Sequence, residues 1–169
     1  AYKFDLPMLA APMDSVVSPE TAIEIGRLGG LGVLNLEGLW TRYDDPRIPL
    51  GEIASMPDKH ATKRMQEIYS APIRPELIKD RIQQIRDSGV TVAASLSPAR
   101  TAEFHKAVIA AGVDIFVIRG TTVSAEHVAA EDEALNLKKF IYELDVPVIV
   151  GIGFIVAIIG NRVGHPLST

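Results

Sequence analysis

The chain contains no cysteine. That excludes disulfides, thiolate metal sites and a cysteine nucleophile, and it leaves the redox compartment open. Basic residues are not in excess: the formal net charge is −4, so neither nucleic acid nor an anionic membrane is indicated as a partner. No run is long enough to span a bilayer. The apolar stretch 146–160 has fifteen residues, with Pro147 and three glycines inside it, where about twenty are needed. The N-terminus lacks a basic-then-apolar leader, which predicts a cytoplasmic protein. The chain begins with Ala1 rather than Met, as a fragment or a processed chain would. His60, His105, His127 and His165 are scattered without metal-like spacing, so no metal site is expected. No Ser-His-Asp arrangement is visible. Gly29, Gly30 and Gly32 precede a strand instead of following one and opening a helix, which rejects a dinucleotide fingerprint of the Rossmann type.

What is present suits a soluble α/β domain. At 169 residues, 47% hydrophobic and 22% charged, the chain can bury one real core. Its organising stretch is Leu6-Pro7-Met8-Leu9-Ala10-Ala11-Pro12-Met13-Asp14-Ser15-Val16, echoed by Gly29-Gly30-Leu31-Gly32-Val33-Leu34-Asn35. Each is a short apolar run ending abruptly in polar or turn residues. Between them Ser18 can cap a helix, Pro19 suits its first position, and Glu20 and Glu24 favour its positive end. Gly29-Gly30 stop it. The spacing predicts strands at 7–11 and 31–34 around a helix at 19–28, a parallel βαβ unit. In such units ligands gather at the C-terminal ends of the strands, here Met13-Asp14 and Asn35-Leu36-Glu37.

Residues 37–74 read as an irregular connection with Pro46, Pro49, Pro57 and Pro72 as breakers, and with a surface helix at 58–69 whose apolar face is Met65, Ile68 and Tyr69. So long a connection is either lid-like or a solvated insertion. Beyond it the pattern is regular. Helices are expected at 75–88, with Ile78, Ile82 and Ile85 on one face, and at 99–111, stopped by Gly112. Strands are expected at 90–95, 113–118 and 146–150. A short helix at 124–130 and one capped by Asn136 lie between the last two strands. Each strand is apolar throughout, which predicts a parallel sheet covered on both faces. Two architectures satisfy this: a five-stranded doubly wound domain, or the first five strands of an eight-stranded barrel of about 250 residues.

The motif Ala11-Pro12-Met13-Asp14-Ser15-Val16, followed by Gly26-Arg27-Leu28-Gly29-Gly30-Leu31-Gly32-Val33-Leu34-Asn35, resembles the IMP dehydrogenase/GMP reductase family. Strand one of that barrel typically reads Ser-Pro-Met-Asp and strand two Gly-Gly-Ile-Gly. The strings Asn35-Leu36-Glu37-Gly38-Leu39, Val117-Ile118-Arg119-Gly120-Thr121-Thr122-Val123-Ser124-Ala125-Glu126 and Leu135-Asn136-Leu137-Lys138-Lys139-Phe140 are similar to the bacterial IMP dehydrogenase-related paralogues, which lack the regulatory CBS insert. The resemblance covers residues 1–151. It implies an incomplete (β/α)8 TIM barrel of about five units, with 152–169 a divergent end, truncated or frame-shifted. An end of that kind would leave strand five as an unprotected sheet edge.

The resemblance also implies a chemistry. The substrate would be a purine nucleotide 5′-monophosphate, with IMP oxidised to XMP or GMP reduced to IMP in guanine nucleotide metabolism. The cofactor would be NAD or NADP, and the full-length protein a homo-tetramer. Ala11 and Met13 would lie under the nucleotide, with Asp14 beside them. Asn35, Arg119, Gly120, Thr121 and Gly151 would face the cofactor. Three departures matter. Family dehydrogenases usually have Ser where this chain has Ala11, so one hydroxyl is missing; they usually have Asp where it has Arg119, and that arginine leaves the choice between NAD and NADP open. The family nucleophile is a cysteine on the loop after strand six, and this chain has none, so no catalytic residue is assigned and no turnover is expected of the chain alone.

The residues leave other readings open. A Met at a strand end is often core. Asp14 serves a substrate or anchors a neighbouring loop. Asn35 faces a cofactor or anchors the turn into Glu37-Gly38. Thr121, Thr122 and Ser124 offer hydroxyls to a ribose or phosphate, or Ser124 caps a helix. Ala-Pro-Met also ends strand one in FMN-binding barrels, so a flavin oxidoreductase is one alternative and a non-catalytic nucleotide-binding remnant is another.

Overall fold

Ser18 begins the first regular helix as its sequence position suggests: its Oγ accepts from the Thr21 amide at 3.0 Å. In the computed structural model, which describes residues 2–120, 140–142, 144–152 and 155–159, that helix is α1 (Pro19–Arg27), lying between β1 (Leu9–Ala10) and β2 (Leu31–Asn35). Glu20 occupies its first turn and Arg27 its last, each matching the helix dipole. Gly29, at φ 88°, ends it in a conformation that a side chain would strain. The chain continues through a 3-10 turn (Leu39–Thr41), α2 (Arg47–Ser55), α3 (Asp58–Tyr69), α4 (Pro75–Asp87), β3 (Ala93–Leu96), α5 (Pro98–Ala110), β4 (Ile115–Arg119), β5 (Val148–Ile152) and β6 (Ile155–Ile159).

The strands lie in the order β1-β2-β3-β4-β5-β6, and the first five are parallel. A doubly wound sheet reverses its strand order at a switch point; this one never does. Of the two architectures open to the sequence, the structure is therefore the barrel type: a curled half-barrel with helices following its strands, an incomplete TIM barrel.

Side chains alternate between two apolar layers. Leu34, Leu36, Ala94, Leu96, Phe116, Ile118, Val148 and Val150 face the helices and join Ile78, Ile82 and Ile85 of α4 with Phe104 and Val108 of α5. Each of the three buried α4 isoleucines contributes roughly 2 kcal/mol by leaving water. Leu31, Val33, Ala93, Ile115, Val117 and Ile149 form the inner layer, and Phe4 packs against it.

Several expected boundaries move, each for a backbone reason. Strand one shrinks to two residues because the amides of Met8 and Met13 turn back to the carbonyls of Leu6 and Ala11. Strand three starts at Ala93 because the Val92 amide donates to the Asp114 carboxylate at 2.8 Å. The connection expected to be irregular except at 58–69 also contains α2. Its Pro49 is the third residue of that helix, where the missing N–H would have no helical acceptor. Strand five is not left open: β6 pairs with it antiparallel, from Ile152↔Ile155 to Val148↔Ile159. The expected helix at 124–130 and the start of the one capped by Asn136 lie outside the described residues, although 140–142 are helical. Among the described residues, no helix is long and apolar enough to cross a membrane.

Candidate functional site

The parallel sheet directs the last inward-facing positions of its strands to one rim. β2 contributes Asn35 after Leu31 and Val33. β4 contributes Arg119 after Ile115 and Val117. β5 contributes Gly151, opposite Arg119 in the register. The sequence pattern that builds the inner apolar layer thus changes at its final step to polar or small residues.

Asp14, four residues beyond β1, is the hub of this rim. Its Oδ1 accepts from Asn35 Nδ2 at 3.2 Å. Its Oδ2 accepts from the Leu39 amide at 2.9 Å and from the Tyr69 hydroxyl at 2.7 Å. Gly38 lies directly against the carboxylate, and a Cβ there would overlap it. Of the two roles open to Asp14, the structure displays the anchoring one. Burial, and then the hydrogen bond to Asp14, push the Tyr69 phenol far above the usual tyrosine range.

Asn35 extends the network. Its Oδ1 accepts from the Glu37 amide at 3.0 Å, the turn-anchoring contact, and from Arg119 Nη2 at 2.7 Å. Arg119 Nη2 also stands 3.9 Å from Glu37 Oε1. The Arg119 Nε is buried with no partner among the described residues. Glu37 Oε1 accepts from the Ser97 amide at the start of α5, where a carboxylate is favoured by the helix dipole. Arg42 closes the outer side, with its Nε donating to the Glu37 carbonyl at 3.1 Å and its Nη1 to the Ala71 carbonyl. Burial, and then the positive charge of Arg100, lower its pKa.

The sequence-named residues are distributed as follows. Ala11 and Met13 are exposed at the end of β1, Met13 to 50%. Asp14, Asn35 and Arg119 are joined by hydrogen bonds. Gly120 and Gly151 meet through the Gly120 amide and the Gly151 carbonyl at 3.3 Å. Thr121, Thr122 and Ser124 lie outside the described residues. Sequence reasoning missed Tyr69 as a site residue, along with the clamping roles of Gly38, Glu37 and Arg42. In the sequence Tyr69 reads only as part of an apolar helix face, and no local spacing connects it to a residue 55 positions away. Among the described residues, no three His, Asp or Glu side chains gather as metal ligands would.

Chemically, the rim offers an exposed thioether floor at Met13, a half-buried cation at Arg119, a carboxylate at Glu37 and backbone groups at Gly120. No family model matches the sequence. Over 156 residues the chain is 46% identical to an uncharacterised oxidoreductase of Mycolicibacterium smegmatis. It is 47% identical over the same length to uncharacterised oxidoreductases of Mycobacterium bovis and Mycobacterium tuberculosis. Each match takes in 89% of this chain and 42% of the relative. The fold superposes with a TM-score of 0.82, at 47% identity, on the crystal structure of an IMP dehydrogenase/GMP reductase-like protein from Corynebacterium glutamicum, covering 89% of this chain and 40% of that one. The chain thus spans about two fifths of the length of the relatives it matches; over that span it is similar in sequence to uncharacterised oxidoreductases, and in sequence and fold to an IMP dehydrogenase/GMP reductase-like protein.

Proposed function

We propose that the chain is part of an oxidoreductase of the IMP dehydrogenase/GMP reductase type, acting on a purine nucleotide 5′-monophosphate with NAD or NADP. The observation that carries this is the match to the Corynebacterium glutamicum protein in both sequence and fold. A rim at the C-terminal strand ends, where barrel enzymes keep their chemistry, supports it. In this reading the base lies over Ala11 and Met13, a polarizable and exposed floor. Asp14 holds that floor in place.

A nicotinamide dinucleotide fits the far side of the rim. Its ribose hydroxyls need an acceptor, and among the described residues the half-buried Glu37 carboxylate adjoins the strand-four end. Its phosphates need a cation, and Arg119 stands beside Glu37 at 3.9 Å. Asn35, Gly120, Thr121 and Gly151 complete that side. When bound, the cofactor accepts or supplies the hydride. The chain's own residues bind and orient, and with no cysteine they supply no nucleophile for a covalent purine intermediate. We therefore expect no turnover from this chain by itself, and tetramers, cytoplasmic and binding neither nucleic acid nor membrane, for a full-length relative.

A thermal-shift titration of the purified chain with IMP, GMP, NAD and NADP tests the reading, because a ligand that binds only the folded state raises its apparent stability. The expected outcome is a cooperative transition that moves upward with IMP or GMP. A transition that ignores all four ligands overturns the proposal. Turnover of IMP or GMP above background overturns the expectation of an inactive chain. Yellow colour with a flavin absorption band points instead to an FMN-binding barrel.

A further inference from the structure

The turn that presents Met13 is short. The Met13 carbonyl accepts from the amides of Val16 and Val17, both at 2.9 Å, so Asp14 is the second residue of a closed turn. Little else from the sheet holds that turn, because β1 ends at Ala10 and Ala11 and Met13 are exposed. Val17 anchors its far end in the core, and the Asp14 side chain holds its near end; two of the three donors to Asp14 come from the long connection between β2 and α4: the Leu39 amide and the Tyr69 hydroxyl.

Tyr69 is the last residue of α3, and the connection behind it is firmly braced. Ile68 is 2% exposed. The Ile68 carbonyl accepts from Tyr43 Oη at 2.8 Å. Arg64 reaches Glu52 of α2 through Nε at 3.1 Å and Nη2 at 2.8 Å. Arg81 of α4 donates to the carbonyls of Trp40 and Asp44 at 3.0 and 2.7 Å. The position of Tyr69 is therefore set by packing well away from β1, and Asp14 receives it.

We propose that Tyr69 is a positioning residue for the substrate floor: through its hydrogen bond to Asp14 it ties the docking of α3 to the orientation of Met13. This rests on the reading of Met13 as the nucleotide-facing residue. The connection is then neither a solvated insertion nor a free lid. It is the part of the chain that keeps the first strand end in binding geometry.

The test is Tyr69→Phe in the whole chain, labelled at its four methionine methyls. The expected result is a moved Met13 methyl resonance with Met8 unmoved, together with about tenfold weaker IMP binding, in the range for losing a hydrogen bond to a charged group. An unmoved Met13 resonance overturns the proposal, as do all four methyls moving alike, which reports a general loosening. A moved Met13 in a chain whose wild type binds no nucleotide overturns the nucleotide reading and leaves the coupling standing. A measurement on the wild type guards against a variant that fails to fold: the Tyr69 ring carbon next to the hydroxyl is followed through an alkaline titration. Titration above the other tyrosines supports the bond to Asp14, and titration in the ordinary tyrosine range overturns it.

Discussion

The two ends of the half-barrel use polar groups differently. At the N-terminal end of the strands the Asp114 carboxylate accepts from the Val92 amide at 2.8 Å and faces the Tyr2 hydroxyl at 3.4 Å. Phe4 packs against the inner apolar layer. At the C-terminal end Asp14, Asn35, Glu37, Arg119 and the Tyr69 hydroxyl share partners, and they come from four separate stretches of chain. One end joins a strand start; the other builds an interlocked surface whose members fix one another. Preorganised side chains of that kind are what a binding site requires, whereas the first end needs only to be stable.

Substitutions at the two ends test that contrast. The largest effect is expected from Gly38→Ala, whose Cβ would overlap the Asp14 carboxylate. The clash should cost about 4 kcal/mol in urea unfolding. Asp14→Ala leaves the Asn35 amide, the Leu39 N–H and the Tyr69 hydroxyl without an acceptor and should cost about 3 kcal/mol. Asp114→Ala, at the other end, leaves one amide, that of Val92, without its acceptor and should cost about 1 kcal/mol while leaving any nucleotide-induced shift unchanged. Equal costs for the two aspartates would break the comparison.

The smallest effect is in alkali. The folded-state pKa of Tyr69 is raised by burial and Asp14, so its contribution to stability is complete below the ordinary tyrosine value of about 10. That contribution is lost as the pH climbs from there through the higher folded value. Wild type should therefore lose stability more steeply than Tyr69→Phe above about pH 10, as read from denaturation midpoints. Parallel curves would place the phenol in water.

Much of this fold is written locally. Ser18, Pro19 and Gly29 mark the limits of α1 in sequence and do so in the structure. Gly89 and Gly112 mark the ends of α4 and α5 in the same way, at φ 80° and 88°. Local rules misjudged α2, since prolines read as breakers are tolerated in the first turn of a helix. They also misjudged the edge of β5, because the pairing of β6 depends on which strand lies beside it. At the site, Asp14 and Asn35 could be found because they end apolar runs. Tyr69 could not, because its partner is chosen by the packing of α3 and not by any spacing along the chain.

The strict order of the strands has a consequence for how the molecule is made. Every strand pairs with the one just before it, so as the chain emerges each new unit can add to a sheet already in existence, without waiting for a distant partner. Phe4 and Tyr2, by contrast, wait for distant partners. The layer that Phe4 covers includes Ile149, and the contact of Tyr2 spans 112 positions to Asp114. We expect amide protection around Phe4 to appear in chains that include β5 and to be absent from chains that stop after β4. Residues 2–4 would then be fastened only after the strands that follow them, making this segment a late seal on a sheet assembled one strand at a time.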